Sequence, residues 1–175
     1  MLFFGIIRKY KGLDILLEAF ADNRLQKQNI KLIVAGEFYE DAKPYHDLIA
    51  KYNLSESVIL VTKFIPDNEV VNYFCAADII VQPYKNATQS GVTQIAYHFE
   101  KPMLVTDVGG LKEIIPHNKV GYVCEPNSKN VANCLVDFFS KDKELVFVEG
   151  VKEEKSKYSW GKMIKSIKSL HGDLT

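Results

Sequence analysis

The stretch Ile30-Lys31-Leu32-Ile33-Val34-Ala35 decides the fold class, because it is almost continuously apolar and rich in β-branched residues. Residues 78–82, which contain Asp78-Ile79-Ile80-Val81, have the same character. Runs of this kind are typical of strands that are buried on both faces of a parallel sheet. The other apolar runs of strand length are residues 2–7, 58–62, 102–106 and 120–123. We therefore expect a sheet of about six strands.

Segments with the apolar spacing of helices lie between and after these runs. Their apolar positions are Leu13, Leu16, Leu17 and Phe20, then Val131, Cys134, Leu135 and Phe138, and finally Trp160, Met163, Ile164 and Ile167. Helix starts are indicated at Asp67, Asn127 and Ser159. The alternation of strands and helices predicts an α/β fold, in which a mostly parallel, doubly wound sheet carries helices on both faces. Residues 141–158 are strongly charged, and we expect solvated helix and loop there, with Glu153 and Glu154 facing solvent.

The composition indicates a single soluble domain that spans residues 1–175. The 22 basic and 22 acidic residues balance, which argues against a nucleic-acid partner. Cys75, Cys124 and Cys134 lack the spacing of metal ligands, and an odd, scattered set is typical of the reducing cytoplasm. The apolar runs are far shorter than the roughly 20 residues of a membrane-spanning helix. We therefore expect a cytoplasmic protein without a metal site.

The turn after the first strand, Gly5-Ile6-Ile7-Arg8-Lys9-Tyr10-Lys11-Gly12, carries three cations just before a predicted helix. Cations near the amino end of a helix oppose its macrodipole, so fold stability alone does not favour them there. A bound anion reverses that penalty. We predict that Arg8 and Lys11 hold a phosphate, and we interpret Lys9 as a solvated side chain.

The turn after residues 78–82 is polar and places Gly91 at the start of a helix. Free N–H groups at Ser90, Gly91 and Val92 form a candidate phosphate cradle. The alternative is an ordinary helix cap by Thr88 or Ser90.

A third turn, residues 106–113, contains Gly109-Gly110 and places Glu113 one turn into a short helix. Paired glycines allow a backbone to approach a ligand closely, although they are equally consistent with a tight turn alone. In residues 62–66, Phe64 and Ile65 either flank a flat base or belong to the core.

Several familiar chemistries lack their motifs. The sequence contains no G-x-G-x-x-G, no G-x-x-x-x-G-K-[ST] and no G-x-S-x-G motif. The scattered histidines His46, His98, His117 and His171 are interpreted as surface or hydrogen-bonded side chains.

Four stretches resemble the carboxyl-terminal domain of GT-B glycosyltransferases of the retaining family called glycosyltransferase family 4. Residues 4–14 are similar to the family's first donor-domain strand with its "KG" turn, and residues 33–37 to its "l-v-G-x-G" strand end. Residues 77–83 resemble the "aDvfv-P" strand, and residues 101–113 resemble the "kPvi-tdvGG-pE" segment. Tyr158-Ser159-Trp160 resembles the "ysW" that opens the family's closing helix, expected at about 159–171.

The resemblance implies a Rossmann-like domain that binds a UDP-, GDP- or ADP-linked sugar as substrate, with no metal or other cofactor. It implies that Arg8 and Lys11 match the Arg and Lys that hold the diphosphate. The family's Arg directly follows the glycine, where Ile6 stands here, so Lys11 is the closer match. The predicted substrate-binding residues are Gly5, Phe64, Thr88, Gln89, Ser90, Gly91, Val92, Gln94, Gly109, Gly110 and Glu113.

The reaction that the resemblance implies is transfer of a hexose-type sugar, with retained anomeric configuration, to a glycan or lipid-linked acceptor in cell-surface polysaccharide synthesis. Many members carry two glutamates with seven residues between them, but these places fall on Ala87 and Ile95. Gln89 or Gln94 is then expected to provide polar contacts instead.

A GT-B enzyme forms its active site between two Rossmann-like domains, and the chain resembles one of them. It also enters an apolar run directly after Met1. We therefore expect that an N-terminal acceptor domain is missing, and that this fragment is inactive alone. The missing domain would provide any peripheral contact with the inner face of the membrane.

Two other functions stay open from the sequence. A non-catalytic nucleotide-binding or regulatory α/β module is consistent with Ala87 and Ile95 at the glutamate places. A flavodoxin-like or receiver-like signalling domain requires an acidic cluster or a flavin loop, and the sequence shows neither.

Overall fold

The computed structural model describes residues 1–158 and 160–172, and in this part of the chain six strands form one parallel sheet. The strands are β1 (Leu2–Phe4), β2 (Leu32–Ala35), β3 (Val58–Val61), β4 (Ile80–Gln82), β5 (Met103–Thr106) and β6 (Gly121–Cys124). Every pair of neighbours is parallel, in the order β3-β2-β1-β4-β5-β6. The order reverses between β1 and β4, which confirms the predicted doubly wound, Rossmann-like α/β sheet.

Helices connect the strands. They are α1 (Leu13–Phe20), α2 (Asn23–Gln26), α3 (Lys43–Lys51), α4 (Asp67–Cys75), α5 (Gly91–His98), α6 (Leu111–Ile114), α7 (Ser128–Ser140), α8 (Glu144–Lys155) and α9 (Trp160–Gly172). The predicted starts at Asp67 and Asn127 are confirmed, since the Asn127 side chain caps α7 by accepting a hydrogen bond from the N–H of Asn130. Ser159 lies outside the described residues, and the closing helix is described from Trp160. None of the described helices is long and apolar enough to span a membrane.

Two buried layers hold the sheet between its helices. Neighbouring residues along a strand point to opposite faces, so Phe3 packs with α1, α3 and α7 while Leu2 packs with α4, α5 and α6. Helix α8 contributes Phe147 to the first layer and Val151 to the second. The sheet is therefore buried on both faces, as the continuous apolar runs predict.

The expectation that residues 141–158 are solvated throughout is wrong for one face of α8. Phe147 and Val151 are buried, and so is Glu154, which is 3% exposed. Lys119 and Lys157 both donate hydrogen bonds to the Glu154 carboxylate and lower its pKa below the usual range. Glu153 does remain exposed. A charged stretch can still bury one face when cations from elsewhere in the fold reach its carboxylate.

Gln82, the last residue of β4, is 1% exposed, and its side-chain amide has no hydrogen-bond partner among the described residues. A buried polar group without a partner costs about 1–3 kcal/mol. We therefore expect Gln82→Leu to raise the free energy of unfolding by about 1 kcal/mol or more, measured by urea denaturation. Thr106→Val is the control, because the equally buried Thr106 hydroxyl does donate to the carbonyl oxygen of Tyr84. That control should lose stability, and a Gln82→Leu protein that is also less stable than wild type would contradict the prediction.

Candidate functional site

The carboxyl ends of β1 and β4 lie side by side at the centre of the sheet, where the strand order reverses. Ligands of open α/β sheets bind at this kind of position. The turns after the two strands meet there, because the N–H of Lys85 donates to the carbonyl oxygen of Tyr10 at 2.7 Å. The Lys85 ammonium also forms an ion pair with Asp14 in α1. The fold therefore brings the first two predicted ligand turns together.

Strand β1 ends at Phe4, earlier than the predicted run of residues 2–7. The strand ends there because the backbone turns at Gly5 with φ of 99°. Ile6 is 50% exposed, and Ile7 returns to the core through an isolated parallel bridge with Phe38. A Cβ atom at residue 5 would lie only 3.1 Å from the Lys11 Nζ. Glycine at this position therefore keeps space open beside the Lys11 ammonium.

Lys11 ends a short 3-10 turn, Lys9–Lys11, directly before α1. Its Nζ lies 5.8 Å from the centre of the Tyr84 ring and is half-buried, whereas Lys9 is exposed. Burial lowers the pKa of Lys11, and the neighbouring Arg8 cation lowers that pKa further. Burial and Arg8 thus disfavour the charged form of Lys11 in the free protein. An anion bound beside Lys11 would favour that charged form.

Arg8 directly precedes the same 3-10 turn, and its charge acts on Lys11. Its guanidinium lies over the ring of Tyr39, with the Cζ atom 4.0 Å from the ring centre. Tyr39 follows β2 and is held by its N–H, which donates to the carbonyl oxygen of Ile7 at 3.0 Å. The sequence reasoning missed Tyr39, because no local pattern links an aromatic residue after one strand to an arginine after another.

Arg8 and Lys11 have no acidic partner within the part of the chain that the structure describes. Among the described residues, no carboxylate oxygen lies within 4.0 Å of the side-chain nitrogens of either residue. Lys85 and Lys112, in the neighbouring turns, do form ion pairs, with Asp14 and Asp107 respectively. Arg8 and Lys11, two neighbouring cations without a carboxylate partner among the described residues, therefore form a candidate anion site.

The amino end of α5 borders this anion site. A Cβ atom at Gly5 would lie 3.9 Å from Val92 Cγ2, which places the first turn of α5 beside Lys11. Ser90 caps the helix, since its Oγ accepts from the N–H of Val92 and pairs with the Tyr84 hydroxyl, both at 3.2 Å. The expectation of a free N–H at Val92 is therefore wrong, and the capping alternative holds for Ser90. A Cβ atom at Gly91 would meet nothing within 4 Å, so the backbone there is open to a ligand.

The third turn, between β5 and α6, packs against the turn between β4 and α5. The N–H of Gly110 donates to the carbonyl oxygen of Thr88 at 2.9 Å. Glu113 is exposed, and its Oε2 lies 3.9 Å from the position that a Cβ atom of Gly110 would occupy. Thr88, Gly109, Gly110 and Glu113 therefore belong to one continuous rim, with Gln89 exposed on it.

Two predicted site residues lie away from Lys11. Phe64 follows β3, two strands from β1, and is 71% exposed. Gln94 lines a groove between α4 and α5 together with Asp67 and Val70. Ile65 is buried in the core, so the alternative of a core role is confirmed for it.

The two places where the family carries glutamates hold no acidic group. The carbonyl oxygen of Ala87 packs against Gly109, and the half-buried Ile95 lines the groove between α4 and α5. Glu113 is an acidic residue that the fold does place on the rim. No group of three or more histidine, cysteine or acidic side chains able to hold a metal occurs in the part of the chain that the structure describes.

Comparison with known proteins identifies relatives of this chain. The model of the family described as glycosyl transferases group 1 matches residues 1–153. An uncharacterized glycosyltransferase of Methanocaldococcus jannaschii is 29% identical over 176 residues, a match that covers 99% of this chain. The chain spans 48% of the length of that relative.

Solved structures share the fold. The C-terminal domain of the glycosyl transferase group 1 family protein LpcC from Francisella tularensis superposes with a TM-score of 0.80 at 23% identity. That match covers 90% of this chain and 84% of the LpcC domain. The Anabaena protein Alr3699/HepE, solved in complex with UDP, has a TM-score of 0.82 at 17% identity, covering 98% of this chain and 48% of that one.

Proposed function

The chain belongs to the glycosyl transferases group 1 family, and from that premise we propose that it binds the sugar donor of a retaining glycosyltransferase. The donor is a nucleoside diphosphate sugar, from which a hexose-type sugar passes to a glycan or lipid-linked acceptor. The observation that carries the proposal is the pair of cations, Arg8 and Lys11, without carboxylate partners among the described residues, at the reversal of the strand order. The UDP complex of the Anabaena neighbour supports UDP as the first nucleotide to test.

The proposed chemistry is electrostatic. When the bond between sugar and diphosphate breaks, negative charge develops on the leaving nucleoside diphosphate. Lys11 and Arg8 stabilise that charge, and the open backbone at Gly91 adds the positive end of the α5 dipole. The half-buried position of Lys11 strengthens its attraction to the anion, because less water screens the two charges. No metal ion takes part in this proposal.

The remaining predicted residues have proposed roles along the donor. Gly5 gives the diphosphate access to Lys11, and Glu113 with the backbone of Gly109 and Gly110 faces the sugar. Thr88, Gln89 and Ser90 line the rim between them. We assign Phe64, which follows β3, and Gln94, in the groove between α4 and α5, to the nucleoside.

The acceptor is proposed to bind outside these 175 residues. The chain spans less than half of the length of the Methanocaldococcus relative, and the candidate anion site lies at the carboxyl ends of β1 and β4. We assign the acceptor-binding residues to a second α/β domain. The chain alone is therefore expected to bind nucleotide and to transfer little sugar. We place the complete enzyme in polysaccharide synthesis at the cytoplasmic face of a membrane.

A second candidate is a nucleotide-binding module without transfer activity. Ala87 and Ile95 at the glutamate places favour it, because neither side chain can hydrogen-bond to a sugar or a ribose. The two candidates differ only in turnover. Release of sugar from a nucleoside diphosphate sugar by the full-length protein would decide for the enzyme.

The first test is calorimetric titration of the chain with UDP, GDP and ADP. We expect a Kd of about 1 mM or tighter for at least one of them, which corresponds to about −4 kcal/mol. The free nucleosides, which lack the diphosphate, should bind far more weakly. Failure of all three diphosphates to bind would overturn the proposed donor site.

A further inference from the structure

Two cysteines that are ten positions apart in the sequence meet at the end of β6. Cys124 is the last residue of that strand, and Cys134 lies in the middle of α7, which packs against it. Both thiols are free, half-buried and line one cavity of about 400 Å³. Asp107, from the turn between β5 and α6, lines the same cavity.

The two thiol groups also interact with each other. The contact with Cys124 lowers the pKa of the Cys134 thiol, while the same contact and burial raise the pKa of Cys124. A thiol with a lowered pKa is the better nucleophile in thiol–disulfide exchange. Both thiols line the same cavity, so a small disulfide that enters it meets the two together.

We propose that Cys124 and Cys134 form a dithiol modification site that a small disulfide, such as glutathione disulfide, converts to an intrachain disulfide. The Cys134 thiolate attacks one sulfur of glutathione disulfide, which forms a mixed disulfide and releases one glutathione. Cys124 then loses its proton and attacks the Cys134 sulfur, which releases the second glutathione. The protein loses two protons and two electrons, and one glutathione disulfide takes them up to become two glutathione molecules.

The dithiol is connected to the turn between β5 and α6. The N–H of Asp107 donates to the carbonyl oxygen of Cys124 at 2.7 Å, and the Asp107 side chain pairs with Lys112 at 3.1 Å. Further along the same turn, the N–H of Gly110 donates to the carbonyl oxygen of Thr88. Closure of the disulfide pulls the end of β6 towards α7, and Asp107 moves with it. Oxidation therefore changes the backbone protection of residues 106–113.

Mass spectrometry of the intact chain tests the modification. The exposed Cys75 is first replaced by serine, so that it does not react. We expect the C75S protein to lose two hydrogens in glutathione disulfide, with the new bond mapped to Cys124 and Cys134. In the C75S background, Cys124→Ser should stop at a stable glutathione adduct on Cys134, and Cys134→Ser should react several-fold more slowly. Two thiols that stay free, or that each carry glutathione without closing, would overturn the site.

Amide hydrogen exchange tests the connection to the turn. Peptides covering residues 106–113 should exchange at a different rate in the oxidised C75S protein than in the reduced one, while peptides from α3, on the other half of the sheet, should not change. Identical exchange at residues 106–113 would overturn the link. Neither measurement uses a nucleotide, so these outcomes are independent of the proposed donor site.

Discussion

Lys11→Met is expected to weaken the binding of UDP by about 2 kcal/mol, which is a roughly 30-fold higher Kd. The Lys11 ammonium is half-buried beside Gly5 and has no carboxylate partner among the described residues, so a bound diphosphate is its natural counter-ion. Methionine keeps a long apolar stem and removes the charge. Calorimetric titration with UDP measures the effect.

The matched control is Lys9→Met. Lys9 belongs to the same 3-10 turn but is exposed, so its removal should change the Kd by no more than about twofold. Because burial disfavours the charged form of Lys11, Lys11→Met should also leave the free energy of unfolding unchanged or higher. A loss of binding then does not come from unfolding. Equal Kd values for the two variants would exclude Lys11 as a specific phosphate contact.

Gly109→Ala is expected to lower the free energy of unfolding by about 3 kcal/mol and to abolish UDP binding. Gly109 has φ of 53°, a conformation that disfavours any residue with a Cβ atom. That Cβ atom would also lie 1.7 Å from the carbonyl oxygen of Ala87, so the two backbones must separate. Urea denaturation measures the first effect and calorimetry the second.

Gly161→Ala serves as the control for this substitution. Gly161 lies in α9, and a Cβ atom there meets nothing within 4 Å. Alanine forms helix more readily than glycine, so this variant should be unchanged or slightly more stable. A Gly109→Ala protein that matches it in stability would show that the two turns can separate at little cost.

Much of the fold follows from local pattern. Residues 32–35 and 79–81 are apolar without alternation, which is typical of strands covered on both faces. Helix starts such as Asn127 depend on a cap that needs only neighbouring residues. Where the local pattern predicts the wrong structure, the cause is also physical. Ile6 belongs to an apolar run that predicts a strand, but the backbone turn at Gly5 leaves its side chain exposed.

The burial of Glu154 shows why charge alone did not predict the environment of α8. Its sequence neighbours, Glu153 and Lys155, indicate a solvated stretch. The residue that makes burial possible is Lys119, which lies 35 positions earlier. A contact of that range leaves no periodic signal in the sequence.

For the candidate site, the sequence by itself determined the cation-bearing turn with Lys11 and the family. Those features depend on the order of residues within short segments. Only the tertiary structure decided that Arg8 lies over Tyr39, that Gln94 faces α4, and that Cys124 meets Cys134. These arrangements depend on which strands and helices become neighbours when the whole sheet assembles, because packing of the complete core selects those neighbours and no single segment does.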